Sequence, residues 1–449
     1  MARVLKKGLL ILALFAVVWL AVIIWWQESR TLPTGVDIGL YLFALPLAML
    51  AALWLGVRAV RAARAPKPEP AAAPQAAAEA PARAVELHVI AVAARASAGD
   101  DAASILQALA EQKRPELDPE LKTQQGFPVF AARVPGLDDM ALYATAQERG
   151  APPDALAIAT LRVTALLTDI ASTLTRQAHR HVTELDVPAR DEDWPLLRFE
   201  LLLPADWPEA ARQRVRTEVL AAARVWPDAR VSATEHLARD AIAADLLLRE
   251  LASIPDTPPQ WRVVLAGDGY VDAERVAQWD AETTLLTHAN PHGRVPGEAA
   301  AGLLLGPADA DAQVRVALSP VLHRQKPADA RGAQAEAAFS DLARDLLERA
   351  DVPADSVIQI VSDADHRGSR PLEPLGVASQ LFTHMDAAKD CQSVGATCGH
   401  TGAAASLLTL AVAADACVQF DQAVLTLTLQ DPALRCAALV SRPAARATA

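Results

Sequence analysis

GHTGAAASLLTLAVAADA, residues 399–416, decides the reading of this chain together with the two segments that follow it, 423–429 and 435–441. Gly399-His-Thr-Gly-Ala-Ala404 marks a helix start, and the apolar residues after it predict a helix over 402–416. The two following segments read as a hairpin-like pair of strands. They are rich in Val and Leu on both faces, as a sheet covered by helices on two sides requires.

Strand-like runs occur at 86–93, 128–133, 196–203, 262–266, 302–305, 313–318 and 356–362. Helical runs occur at 103–112, 153–176, 208–224, 235–251 and 334–350. In the last of these, Ala338, Leu342, Leu346 and Leu347 recur at helical spacing, opposite Asp341, Arg344, Asp345 and Glu348. That is a surface helix lying on a sheet. Strands alternating with helices predict an α/β body.

The 449 residues are 52% hydrophobic, enough for one large or two ordinary domains, and the formal charge is -12. Residues 1–68 hold eight basic and two acidic side chains, so the remainder carries -18. Such a body is unsuited to wrapping nucleic acid. Residues 8–26 and 38–57 are uncharged apolar runs, each long enough to cross a bilayer as a helix. Arg3, Lys6 and Lys7 precede the first run, and Arg58, Arg61, Arg64 and Lys67 follow the second. The positive-inside rule then predicts a two-pass membrane protein with both termini and the soluble body cytoplasmic. Residues 1–64 read as a membrane anchor and 65–83, rich in Pro and Ala, as a tether. The body divides into expected halves at 84–255 and 256–449. Cys391, Cys398, Cys417 and Cys436 lack the spacing of a zinc ribbon or a disulfide framework and read as reduced thiols.

Four segments, in order, resemble the β-ketoacyl synthase form of the thiolase-like fold. Gly293-Arg-Val-Pro-Gly-Glu-Ala-Ala-Ala-Gly-Leu-Leu-Leu305 is similar to that family's glycine-rich turn into a core strand, with Ala299 where a third glycine is usual. Asp365-His-Arg-Gly-Ser-Arg-Pro371 resembles its first histidine motif and Gly399-His-Thr-Gly-Ala-Ala404 its second. The terminal helix and two strands complete the series. The resemblance implies a layered α/β/α/β/α body following the transmembrane helical hairpin.

It also implies an active site, which this sequence departs from. The family's nucleophile is a cysteine at a helix start, where the helix dipole lowers the thiol pKa. The resemblance places that turn at Val231-Ser-Ala-Thr-Glu-His236, where Ser232, Thr234 and Glu235 stand and no cysteine does. A hydroxyl without an adjacent base is a weak nucleophile. Gly395 replaces a lysine usual before the second histidine motif, and Arg367 and Arg370 stand where small residues belong, positioned to obstruct an acyl pocket. His366 and His400 are then vestigial, read either as a pair polarising a thioester carbonyl or as buried histidines satisfying backbone groups. Cys391, Cys398 and His400 lack a fourth metal ligand. His179 and His181 read as solvated residues near a helix C-terminus. Trp207, Trp226 and Trp261 read as core or inter-half packing.

The expectation is a non-enzymatic protein with no cofactor and no metal. A degenerate thiolase-like body on a membrane hairpin resembles the type VI secretion lipase-adaptor family. The resemblance implies a place in the bacterial inner membrane, binding of a phospholipase-type effector in the cytoplasm and its loading on the secretion spike protein. Alternatives are an acyl-thioester decarboxylase or acyltransferase using His366 and His400, and a noncatalytic partner of a ketosynthase. A homodimer is compatible with each.

Overall fold

The computed structural model describes residues 85–443, apart from 186–187, 255–259 and 308–309, and six helical positions nearer the N-terminus, Val18, Trp19, Leu20, Val22, Ile24 and Trp25. The chain forms two contact units, Met1–Ala80 and Pro81–Ala449. Beyond those six positions, the two expected membrane spans and the expected Pro/Ala tether lie outside the described residues.

The body is built on strands β1 (Val85–Ala96), β2 (Glu116–Lys122), β3 (Pro128–Ala131), β4 (Leu196–Pro204), β5 (Val231–Ala238), β6 (Gln260–Gly269), β7 (Glu298–Leu305), β8 (Val314–Leu318), β9 (Leu322–His323), β10 (Val357–Ser362), β11 (Cys391–Ser393), β12 (Ala423–Thr428) and β13 (Leu434–Ser441). Ten run in one path, β11-β10-β12-β13-β8-β1-β7-β6-β4-β5, while β9 joins β13 and β2 pairs β3 apart. The path contains the same five-strand unit twice. In β5-β4-β6-β7-β1 and in β11-β10-β12-β13-β8 the order is third, second, fourth, fifth, first, and the fifth strand is antiparallel to its neighbours. The two first strands join the units antiparallel, with Val85 opposite Leu318 and Val89 opposite Val314.

This topology corrects the expected division at 255/256. Strands β6 and β7 complete the first sheet, so the units meet between Leu305 and Val314.

Helices α1 (Ala102–Ala110), α2 (Ile158–Leu185), α3 (Glu209–Ala222), α4 (Ala243–Ser253), α5 (Ala273–Ala281), α6 (Ala337–Arg349), α7 (Leu372–Leu381) and α8 (Ala405–Phe420) cover the strands. Inner-face residues of both units, among them Leu202, Val264, Leu303, Val361, Val424 and Val440, share one core with α1, α4 and α8. The outer face of the first unit packs on α2 and α3, and that of the second on α6 and α7. The layering is therefore α/β/α/β/α. Residues 402–420 are long and apolar enough to cross a membrane, but this segment is the central core helix, buried from Ala405 through Ala414. A helix enclosed on all sides needs no polar face.

The expected helix over 235–251 is also corrected. Residues 231–238 form β5, paired parallel to β4 from Val231–Leu197 to Ala238–Pro204, and α4 begins only at Ala243. As the last strand of the path, β5 turns Ser232, Thr234 and Leu237 to solvent. Its alternation with polar residues is that of an edge strand rather than of a core run.

Candidate functional site

The link from β11 to α8 holds the second histidine motif in a backbone that leaves no slack. A Cβ on Gly395 would run into the carbonyl oxygens of Asp363 and Ala364, so the position that resembles the family's lysine has no room for any side chain. Gly399 and Gly402 take φ of 69° and 46°, in the left-handed region that glycine enters at least cost. A Cβ on Gly402 would meet the Asp268 carboxylate and the Tyr270 hydroxyl. The His400 amide donates to the Val295 carbonyl at 2.8 Å, tying the motif to the segment before β7.

Asp268, at the end of β6, fixes the other side of this link. Its carboxylate accepts from Ala403 N at 3.0 Å, Gly269 N at 2.8 Å and the Tyr270 hydroxyl at 2.8 Å. Burial outweighs these donors and pushes its pKa up to about 7. The Tyr270 ring lies 4.9 Å from His400, and Trp279 of α5 lies 5.7 Å from it. Burial, and then the charges of Arg294, Arg367 and Arg370, hold the His400 imidazole well below its usual range, so it is neutral. The Gln430 side chain faces the His400 ring and partly offsets this fall, while Thr401 Oγ1 is buried without a hydrogen-bond partner. An unsatisfied buried hydroxyl is unusual in a finished core.

His366 is placed differently. It is exposed, on the loop after β10, and lines a mostly apolar cleft of about 470 Å³ with Phe130, Leu286, Val295, Pro374, Leu375 and Cys391. Val295 is common to both settings: it lines this cleft, and its carbonyl receives the His400 amide. The ring partners of His400 are nevertheless Tyr270 and Trp279.

The expectation that Arg367 and Arg370 obstruct an acyl pocket is not met in this cleft, which neither lines. Arg370 is buried and bound to Asp329 and to the carbonyls of Leu429 and Gln430, while Arg367 folds back on Asp365 at 2.6 Å. The Glu298 of the glycine-rich turn is likewise structural. Fully buried at the start of β7, it accepts from Arg162 of α2 at 2.6 Å and from Val134 N at 2.7 Å.

Ser232, Thr234 and Glu235 form no turn. They lie within β5, and Glu235 is paired with Arg212 of α3. The strand-to-helix link that does precede α4 reads Arg239-Asp-Ala-Ile242, with Asp240 accepting from Ile242 N at 3.2 Å. It contains no cysteine. Burial pushes the thiols of Cys391 and Cys398 up to about 12, that of Cys417 up to about 11 and that of Cys436 further, so none is an activated nucleophile. Asp245, in the first turn of α4, is buried, accepts from Thr428 Oγ1 at 3.1 Å and is raised to about 6 by desolvation.

Among the described residues no group of three or more His, Cys, Asp or Glu stands together as a metal site. His179 and His181 are half-buried rather than solvated, the first tilted against Trp194 at 5.0 Å and the second edge-on to Trp261 at 5.2 Å. Trp207, Trp226 and Trp261 belong to the core of the first unit, not to an interface between halves. Sequence reasoning passed over Asp268, Tyr270, Trp279, Arg294 and Gln430. One signal was available, Gly267-Asp-Gly-Tyr270, a polar cluster at the end of an apolar strand, where α/β sheets place their sites.

No family model matches the chain, and no curated protein matches it in sequence. Solved structures do match. The ishigamide ketosynthase/chain length factor is 15% identical with a TM-score of 0.54, over 80% of this chain and 99% of that one. A β-ketoacyl synthase from Burkholderia phymatum gives 11% identity and a TM-score of 0.51, over 80% of this chain and 100% of that one. A ketosynthase described in complex with its type II polyketide acyl-carrier protein gives 10% and 0.54, over 80% and 100%. Identities this low speak for architecture alone. The body of this chain has the mixed α/β, thiolase-like fold of the ketosynthases.

Proposed function

We propose that the body is a noncatalytic, protein-binding derivative of the ketosynthase fold. The observation that carries this is the Arg239–Ile242 link, a helix start without a thiol, in a chain whose four thiols are all raised by burial. His366 and His400 sit in unlike environments, one exposed and one packed among aromatics, which weighs against a concerted pair acting on an acyl thioester. In this reading the two N-terminal apolar runs hold the body at the cytoplasmic face of the inner membrane. There it binds a phospholipase-type secretion effector and helps load it on the spike protein. The support is the resemblance of the whole arrangement to the type VI lipase adaptors, and an acidic body suited to steering a basic partner.

A second reading, a noncatalytic partner of a ketosynthase, is favoured by the edge of β5, which among the described residues pairs with β4 alone and leaves Leu237 exposed. Such an edge accepts a strand from another chain. The test for both is purification of the tagged full-length protein from gently solubilised host membranes, with partners identified by mass spectrometry. Stoichiometric recovery of a lipase-like effector or spike protein supports the adaptor. A ketosynthase or acyl-carrier protein supports the second reading. Turnover of an acyl thioester that disappears in His400→Ala overturns the noncatalytic assignment.

A further inference from the structure

A second cleft, of about 660 Å³, opens on the other side of the Asp365–Gly368 loop, and its charge runs against that of the body. It is lined by Arg294, Arg331 and Arg367, with Asp329 as the acidic residue among the lining side chains and Thr284 and Asn290 as neutral polar ones. Asp329 is already held by Arg370, behind the wall. Arg367 is fixed by Asp365, and Gly368, at φ 58°, seats this loop against the Ala328 carbonyl.

Arg294 is the unusual member. Its guanidinium lies 5.5 Å from the Trp279 ring centre, and it forms no ion pair among the described residues. Its backbone is pinned on both sides, donating to the Thr284 carbonyl at 2.6 Å and accepting from Leu286 N at 2.8 Å, while Asn290 Nδ2 braces the loop at the carbonyls of Thr283 and Leu285. Burial and the neighbouring charge of Arg367 lower its pKa, the signature of a cation short of counter-charge. Two positioned guanidiniums facing a polar cleft, one stacked on an indole, have the geometry in which arginine recognises compact oxyanions.

We propose that this cleft binds a phosphate-class oxyanion between Arg294 and Arg367, with Arg331 closing over it from the rim. The site stands on its own observations and goes beyond the protein-binding reading. The oxyanion is either free phosphate or the phosphate of a larger ester.

Isothermal titration of the full-length protein in a maltoside detergent, in phosphate- and sulfate-free buffer at ionic strength fixed with chloride, tests it. Inorganic phosphate and glycerol 3-phosphate serve as probes. Saturable binding is expected, weakened roughly tenfold in Arg294→Gln and a few-fold in Arg331→Gln, in line with the loss of charge-assisted hydrogen bonds. Tighter binding of the ester identifies a headgroup-bearing ligand, and equal or tighter binding of phosphate identifies the free ion. Absence of saturable binding of both probes overturns the proposal, as does binding unchanged in both variants. If Arg294→Gln fails to fold, the exposed Arg331→Gln decides alone.

Discussion

The link from β5 to α4 and the link from β11 to α8 hold the same place in the two five-strand units, third strand to the helix that follows, yet they have been built to different standards. The second is threaded through three close glycine contacts, capped by buried Asp268 and left with an orphaned hydroxyl on Thr401. The first is a plain turn closed by Asp240, with a buried carboxyl, Asp245, just inside the helix. A duplicated architecture does not oblige its two copies to keep equivalent chemistry. Here the second unit retains a constrained polar site, while the first contributes a helix start and scaffold.

The units are also pinned differently, and that difference should give the largest effect. Glu298 in the first unit is shared by Arg162 and a backbone amide, and Arg162 has a second carboxylate in Asp139. Glu373 in the second unit serves two buried guanidiniums, Arg324 and Arg435, at once. Glu373→Ala strips Arg435 of its carboxylate and leaves Arg324 with Glu336 alone, at 3.6 Å, so it should cost about 3–5 kcal/mol, the range for breaking a buried pair. Glu298→Ala should cost less, because it disturbs one guanidinium rather than two and Arg162 keeps Asp139. Urea denaturation midpoints measure both. A larger loss in Glu298→Ala would mean that the first unit, not the second, carries the critical pin.

Three buried carboxyls, Asp245 raised to about 6 and Asp268 and Asp363 raised to about 7, give the next effect. In each, the folded state binds its proton more tightly than the unfolded chain, so their contribution to stability is full below pH ~4 and is lost as pH rises toward 7. His400 acts in the opposite sense. Its lowered pKa makes the folded state resist protonation, so its contribution is lost as pH falls through the unfolded value near 6.5. Three acids oppose one imidazole, and stability should decline between about pH 4 and 7. Asp268→Asn should flatten that slope. An unchanged slope would show that Asp268 is ionised throughout, its three donors outweighing burial.

Much of this arrangement was legible in the residues. Runs such as Ala423–Leu429 and Leu196–Leu203 are apolar because they sit in a sheet covered on both faces, and that pattern needs no structure to read. Strand β5 was not legible. At an edge it is free to alternate with polar residues, and Ser232-Ala-Thr-Glu235 imitates a helix capping box. The two histidine motifs were visible because glycine spacing is local. Asp268, Trp279, Arg294 and Gln430 come together from four separate segments, and only the fold sets them around His400.

Gly395→Ala is a smaller perturbation than the loss of either pin. The methyl would press on the carbonyls of Asp363 and Ala364, and a cost of about 1–3 kcal/mol is expected from overpacking. Gly395→Lys should be no better tolerated than alanine, since the obstruction is at Cβ. If the lysine variant were as stable as wild type, the link would be adaptable, and its tightness would not separate it from its counterpart in the first unit.

The smallest effects distinguish the two histidines. His366→Ala, at an exposed position, should change stability by no more than about 0.5 kcal/mol. His400→Ala removes a ring packed on Tyr270 and Trp279 and should cost about 1 kcal/mol or more for the lost aromatic contacts. His400→Phe is the sharper test, because it keeps a ring and deletes the nitrogens that face Gln430. If that polar contact contributes little, the phenylalanine variant should match or slightly exceed wild type in urea. A loss equal to that of alanine would show that the ring nitrogens are satisfied in solution, by Gln430, by water or by a ligand. The second unit's link would then be a working polar site rather than a relic.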